Sequence, residues 1–319
     1  MRPAAEKIIV LSDSDVAMLL DDVELLARLE LGLLALSRGA AQLPDRTGLS
    51  FADRGFLLTM IGALDHAPIT VKVVSVLSAG PGIPPNHNAT VLLLDSETGA
   101  CQAVLGARYL TAVRTAAAAC LSAKLLARSG SQILTILGAG DQARHHLRLM
   151  SNLRDWQEIR IWARRYDQAA ALAAEHRLAS AASDLSAAVS GADVVALTTH
   201  SSEPLFRAGL LSPGTHVSSV GYCPPGGELS RDIVAAATLF VETARAVAPP
   251  PVGCAELAGV PPERAVQLGE VIGGAHPGRI SDDELTLYKA MGNVVEDIVA
   301  ASIVYERAKA RGLGTRVAL

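Results

Sequence analysis

The sequence predicts an α/β protein in which a doubly wound parallel sheet follows a mixed α+β region. Three observations carry this. "ILTILGAGDQARHHLRLM", Ile133 to Met150, is an apolar run that breaks at Gly138, Gly140 and Ala143 and then becomes polar with helical spacing. Beyond it, strand-like and helix-like segments alternate, the pattern of a parallel doubly wound sheet. Before it, short β-type runs are separated by Gly, Pro and Asp turns. A length of 319 residues, half of them hydrophobic, suits roughly two domains.

Taken in order, "KIIVL" reads as a strand, and Ser12 or Ser14 as the cap of an amphipathic helix running to about Ser37. "PDRTGLSF", "GFLLTMIGAL", "ITVKVVSVLS" and "ATVLLLDSETGACQAVLG" are strands, the last a hairpin. Leu110 to Ala127 is a helix made almost wholly of Ala and Leu, hence buried on most sides, and it joins the two regions. "QILTILG", "EIRIW", "ADVVALTT", "THVSSVG" and "TLFVET" are the strands of the parallel sheet, with helices after the glycine turn and near Gln168 to Arg177. "SDDELTLYKAMGNVVEDIVAASIVYERAKA" reads as one or two helices opened by a capping box of Ser281 and Glu284 and bent at Gly292-Asn293.

Composition excludes several classes. The net charge of −4 comes without long basic runs, which argues against nucleic acid as a partner. Cys101, Cys120, Cys223 and Cys254 form no CxxC pair or Cys/His cluster, so neither a metal site nor a disulfide framework is expected, and a reducing cytoplasm fits. No signal segment or membrane-spanning run is evident. His66, His87, His145, His146 and His216 have no metal-ligand spacing and read as surface or capping residues. There is no GxSxG elbow.

The glycine turn follows a predicted strand and opens a predicted helix, the context in which backbone N–H groups hold a pyrophosphate. The alternative is a turn that only packs a helix on a sheet. An acid at the end of the next strand would select NAD, and an arginine would select NADP. "IRIWARRYD" places Ala163, Arg164 and Arg165 there, favouring NADP with NAD possible.

Three cations stand out. Lys72 interrupts the strand "ITVKVVSVL", so it either snorkels from an edge or faces an anion. Arg114 sits in the first turn of the Ala-rich helix, where the helix dipole disfavours a cation, and needs an internal acid, a substrate carboxylate or a cofactor phosphate. Arg46, in "LPDRTG", is a third anion-binding candidate or a surface-loop residue.

The stretch "ATVLLLDSETGACQAVLGARYLTAVRTAAAA", then "ILGAGDQA", "SVG" with "EL", and "DDELTLYKAMGNVVED", resembles the ornithine cyclodeaminase/mu-crystallin family over nearly the whole chain. The resemblance implies a Rossmann-type sheet, residues 121–295, inserted into a mixed α+β substrate and dimerisation domain, residues 1–120 plus 296–319, and a homodimer. It implies that Arg46, Lys72 and Arg114 bind the carboxylate of a small imine or amino acid. It also implies cofactor contacts at Thr115, Gly138, Gly140, Asp141, Gln142 and Ala143, and at Thr198, Val220 and Gly221. Cyclodeaminases of the family carry an aspartate where this chain has Tyr222, and a further acid where it has Leu57 or Leu58. Both departures count against ornithine. The implied activity is reduction of a ketimine or pyrroline carboxylate, or amino-acid dehydrogenation, with Lys72, Arg114 and Tyr222 catalytic. Ornithine cyclodeamination and nucleotide-dependent binding without turnover are the alternatives. On this reading Arg114→Ala disables turnover without unfolding the protein.

Overall fold

A computed structural model describes residues 7–51, 54–78 and 86–318. The chain divides into two compact units, Met1–Arg114 with Asn293–Leu319, and Thr115–Gly292.

In the first unit β1 (Ile8–Leu11) leads to α1 (Asp13–Leu19), capped reciprocally by Ser12 and Asp15. The single helix expected to reach Ser37 is two. Leu20 and Asp21 turn to extended backbone, and the Asp21 carboxylate accepts the Glu24 N–H at 2.9 Å, which starts α2 (Asp22–Ser37). There follow β2 (Ala41–Gln42), β3 (Thr47–Phe51), β4 (Gly55–Leu64), β5 (Ile69–Leu77), β6 (Asn86–Leu94) and β7 (Cys101–Gly106). β6 and β7 form the expected hairpin, its turn held by the Asp95 carboxylate, which accepts the N–H groups of Glu97 and Thr98. Next comes α3 (Arg108–Leu126), almost wholly buried as its composition requires; the division between units falls within it.

The second unit holds β8 (Ile133–Leu137), α4 (Asp141–Met150), β9 (Glu158–Trp162), α5 (Tyr166–Ala173), β10 (Ala179–Ala182), α6 (Leu185–Val189), β11 (Val194–Leu197), β12 (His216–Ser219), α7 (Arg231–Ala236), β13 (Thr238–Val241), β14 (Ala265–Gln267), α8 (Leu268–Ile272) and β15 (Thr286–Lys289). The strands form one parallel sheet in the order β10-β9-β8-β11-β12-β15-β13-β14. The order reverses between β8 and β11, the switch point at which such sheets bind ligands beyond their strands' carboxyl ends. Leu137, Leu197, Val217, Leu239 and Leu287 belong to its core.

β15 corrects the sequence reading. "TLYK" is not helical, and Ser281 and Glu284 form no capping box. The Glu284 carboxylate instead accepts the Ile280 N–H at 2.6 Å. A four-residue strand buried on both faces between β12 and β13 shows no alternation, so its period resembles a helix segment. His146 and His216 are buried rather than superficial. The ring nitrogens of His216 bond the hydroxyls of Thr286 at 2.9 Å and Ser122 at 3.1 Å, and burial among the nearby cations Arg279 and Arg154 pulls its pKa down to about 3.

The chain returns to the first unit as α9 (Val294–Arg311) and β16 (Thr315–Val317). The eight-stranded mixed sheet there runs β16-β1-β7-β6-β5-β4-β2, with β3 also on β4. Two glycines let α9 lie close. A Cβ at Gly62 would fall 2.6 Å from Val294 Cγ1, and one at Gly32 2.9 Å from Val299 Cγ2. Met60 packs on Val294 and Ile298. Among the described residues, no helix is long and apolar enough to cross a membrane.

Candidate active site

Lys72 lies on β5, an interior strand, opposite Met60 on one side and Val91 on the other. It is fully buried, so it does not snorkel from an edge. Thr47 faces Thr59. Thr59 is the chain neighbour of Met60, which faces Lys72, so Arg46, one residue before Thr47 and outside the ladder, lies next to that row. Arg46 is half-buried just before β3.

The face bearing Lys72 meets the first turn of α9. Lys72 Nζ donates to Asp297 Oδ1 at 2.7 Å. Arg114 Nε donates to the same oxygen at 3.1 Å, and its Nη1 to Glu296 Oε2 at 2.6 Å. The structure thus supplies the internal acid that was one alternative for Arg114, and supplies two. Glu296 also closes a capping box with Asn293, its Oε1 accepting the Asn293 N–H at 3.1 Å. Both acids are fully buried, which only paired charges tolerate. Burial and the Arg114 charge pull the Lys72 pKa down to about 8, against the opposing pull of Asp297 and Glu296. The lysine is therefore a competent proton donor near neutrality.

In the second unit Gly138 follows β8 with φ +128°, and its N–H donates to Trp162 O at the end of β9. A Cβ there would stand 2.4 Å from Thr198 Oγ1, so the turn requires glycine. Gly140 begins α4 with no side chain capping the helix, and a Cβ on it would meet nothing within 4 Å. Gln142 Oε1 is buried without a hydrogen-bond partner. An uncapped helix start, open space over Gly140 and an orphaned acceptor fit a dinucleotide pyrophosphate. Asp141 opens α4, and Ala143 is fully buried, small enough for α4 to lie close to the sheet. Thr198 directly follows β11 and is tied to Leu137 O through both its N–H and its hydroxyl, each at 2.9 Å. Ala163 is buried at the end of β9, while Arg164 and Arg165 are exposed. Thr115 is buried on α3.

A buried network, missed in the sequence, fixes the loop after β12. Glu228 accepts four hydrogen bonds: from Thr199 N–H at 2.8 Å and its hydroxyl at 2.6 Å, and from Ser219 Oγ and Gly221 N–H at 2.8 Å each. Lys289, at the end of β15, donates to Gly221 O at 2.6 Å and Ser219 Oγ at 3.0 Å, and pairs with Glu256 at 2.5 Å. Burial pulls the Lys289 pKa down, but Glu256, Cys254 and Glu228 outweigh it and the net shift is upward. A Cβ on Gly221 would lie 2.7 Å from the Glu228 carboxylate, which explains that glycine by the network itself. Val220 donates its N–H to Leu197 O, and half-buried Tyr222 follows. Leu57 and Leu58 are apolar residues of β4, opposite Leu49 and Gly48. The signal for Lys289 was the one already read for Lys72, a lysine within an apolar strand.

Comparison with known proteins places the chain. Residues 6–312 match the model of the ornithine cyclodeaminase/mu-crystallin family. A mouse protein, "Ketimine reductase mu-crystallin", is 35% identical over 277 residues, 84% of this chain and 86% of its own. The structure of Thermococcus litoralis Delta(1)-pyrroline-2-carboxylate reductase with NADH and L-proline aligns with a TM-score of 0.89 at 30% identity, covering 97% of this chain and 100% of that one. An archaeal alanine dehydrogenase dimer with bound NAD aligns at 0.85 and 29% identity, covering 98% and 99%. With a family match over nearly its full length and both units in place, this chain belongs to the ornithine cyclodeaminase/mu-crystallin family.

Proposed function

We propose that the chain is a nicotinamide-dependent oxidoreductase of C–N bonds that reduces a small imine carboxylate, such as a ketimine or pyrroline carboxylate, to the amino acid, or runs the reverse oxidation. The observation that carries this reading is the buried Lys72–Arg114 pair held on one carboxylate oxygen. A ketimine reductase and a pyrroline-carboxylate reductase among its relatives support it. When bound, the nicotinamide supplies or accepts a hydride. Gly138, Gly140, Asp141, Gln142 and Ala143 would hold its pyrophosphate, and Thr115, Thr198, Val220 and Gly221 would contact the rest. Arg46 and Arg114 bind the substrate carboxylate and orient the imine. Lys72 gives a proton to the imine nitrogen as the carbon gains hydride; Tyr222 is a second candidate donor. The chain works as a homodimer in the cytoplasm on this reading. The test is a screen of cyclic ketimines, and of keto acids with amines, for NADPH oxidation with the amino acid identified as product. No turnover with any of them would overturn it in favour of a binding protein.

The exposed Arg164 and Arg165 at the end of β9 favour NADP over NAD. NADPH should bind about ten- to a hundredfold tighter than NADH, since a charge-assisted phosphate contact contributes roughly 1.5–3 kcal/mol. The gap should narrow in Arg164→Ala. Equal dissociation constants for the two cofactors would remove the assignment.

Tyr222 in place of the cyclodeaminase aspartate leads to a second expectation: ornithine is not converted to proline and ammonia at a useful rate. Cyclisation needs a base for the δ-amine, and a phenol with a pKa near 10 is mostly protonated at neutral pH, whereas it can donate to an imine. Ammonia release from ornithine, measured beside ketimine reduction, decides it. Gain of activity in Tyr222→Asp supports the reading, and robust wild-type cyclodeamination sinks it.

A further inference from the structure

Asp297 has an arrangement that a stabilising ion pair does not need. Its Oδ1 takes Lys72 Nζ at 2.7 Å and Arg114 Nε at 3.1 Å, while its Oδ2 is buried and has no hydrogen-bond partner. A carboxylate kept solely for stability would have both oxygens satisfied, because a bare buried acceptor is costly. Glu296, the neighbouring acid, uses both oxygens, one on Arg114 and one on the Asn293 N–H. Asp297 instead places both of its bonds on one oxygen, the point at which two buried like charges stand side by side. On the strands beside it Met60 and Val91 are the cross-strand partners of Lys72, and Arg46 precedes β3 next to the same row. The groups facing it are Asp297 and Glu296 from α9 and Arg114 from α3.

We propose that Asp297 is a positioning residue: its bridging oxygen fixes the Lys72 ammonium and the Arg114 guanidinium in one orientation and keeps the proton on the lysine. The proposal rests on the imine-reductase reading above and adds to it a residue that touches neither substrate nor cofactor. Two cations in a dry site repel, and each lowers the other's hold on its proton; a carboxylate between them opposes this. With Asp297 in place Lys72 titrates at about 8. The ammonium is then the main form at neutral pH yet can release its proton.

The sign of the effect follows. Asp297→Asn removes the opposing charge and retains an oxygen of similar position, so the Lys72 pKa falls. Imine reduction needs the ammonium, so the limb on which kcat/KM declines with rising pH should move down by at least about one pH unit, the usual effect of losing an opposite charge at this range. Glu296→Gln does not touch Lys72 and should move that midpoint less. Asp297→Glu keeps the charge but displaces it by a methylene. Its midpoint should stay near that of the wild type while KM for the imino acid rises, which a merely structural role would not produce.

Lys72 is also read without turnover, by titrating the 13Cε resonance of labelled lysine in the full-length protein, assigned by its loss in Lys72→Arg. A lowered resonance midpoint in Asp297→Asn, with a matching shift in the rate profile, supports the proposal. An unchanged midpoint in the folded variant overturns it. If Asp297→Asn does not fold, Asp297→Glu decides, and a wild-type KM in that variant overturns it. A lowered midpoint in a protein that reduces no imine leaves the assignment of Asp297 standing and removes the reductase reading instead.

Discussion

Arg114→Ala should lower the thermal unfolding midpoint by on the order of 10 °C and, at a temperature where the variant is folded, cut kcat/KM for imine reduction by about 30- to 1000-fold. The first effect reverses what the sequence suggests. Glu296 and Asp297 are fully buried and both accept from the same guanidinium, so truncation leaves Glu296 without that cation and Asp297 with Lys72 as its remaining ion-pair partner among these. Removing one partner of a buried pair costs about 3–5 kcal/mol, and each kcal/mol is worth roughly 2–4 °C in a domain of this size. On the proposed role of Arg114 as the carboxylate anchor, the second effect is the loss of roughly 2–4 kcal/mol of transition-state orientation. Calorimetry and initial rates separate them. Adding Glu296→Gln should restore part of the stability and none of the activity. An unchanged melting temperature would show that the acids find other partners, and a kcat/KM within a few-fold of the wild type would remove Arg114 from the substrate site.

Glu228→Ala should be as damaging to the second unit. The carboxylate is buried and takes four hydrogen bonds of 2.6–2.8 Å. Truncation leaves the N–H groups of Thr199 and Gly221 without their acceptor and Lys289 with Glu256 as its remaining acid among these. A loss of about 3–5 kcal/mol is expected from stranding buried donors and unbalancing a buried charge. Glu228→Gln should cost less, because an amide oxygen still accepts. Urea unfolding of the purified variants measures this. A change below about 1 kcal/mol would mean that the loop after β12 is held by something other than this network.

The parts of the site that sequence discloses are those whose chemistry is local. The glycine turn is one: the left-handed Gly138, the open Gly140 and the strand before them are contiguous, and so is the acid-free corner at Ala163 to Arg165. Lys72 and Arg114 announced themselves as cations in apolar elements, and the structure brings them together. Their partners did not announce themselves, because Asp297 lies 225 residues from Lys72 and Glu296 lies 182 from Arg114. A signal was nonetheless present: two adjacent acids in "NVVEDIVAASIV" are as improbable in a buried helix as Lys72 is in a buried strand. β15 was lost for a different reason. Burial on both faces erases the alternation that distinguishes strand from helix, so tertiary context alone decides it.

The order of synthesis gives the discontinuous first unit a consequence. Residues 7–114 leave the ribosome before α9, with Lys72 and Arg114 made and Glu296 and Asp297 still to come. A desolvated lysine without its counter-ion is untenable, so this unit cannot close over Lys72 until α9 has emerged. The second unit, Thr115–Gly292, is contiguous and can fold while the first waits. β16 then pairs with β1, Ile8 against Val317, so the first strand of that sheet meets a segment made after the whole second unit. Until α9 is made, Met60 and the strand face around it lack the cover that Val294 and Ile298 provide.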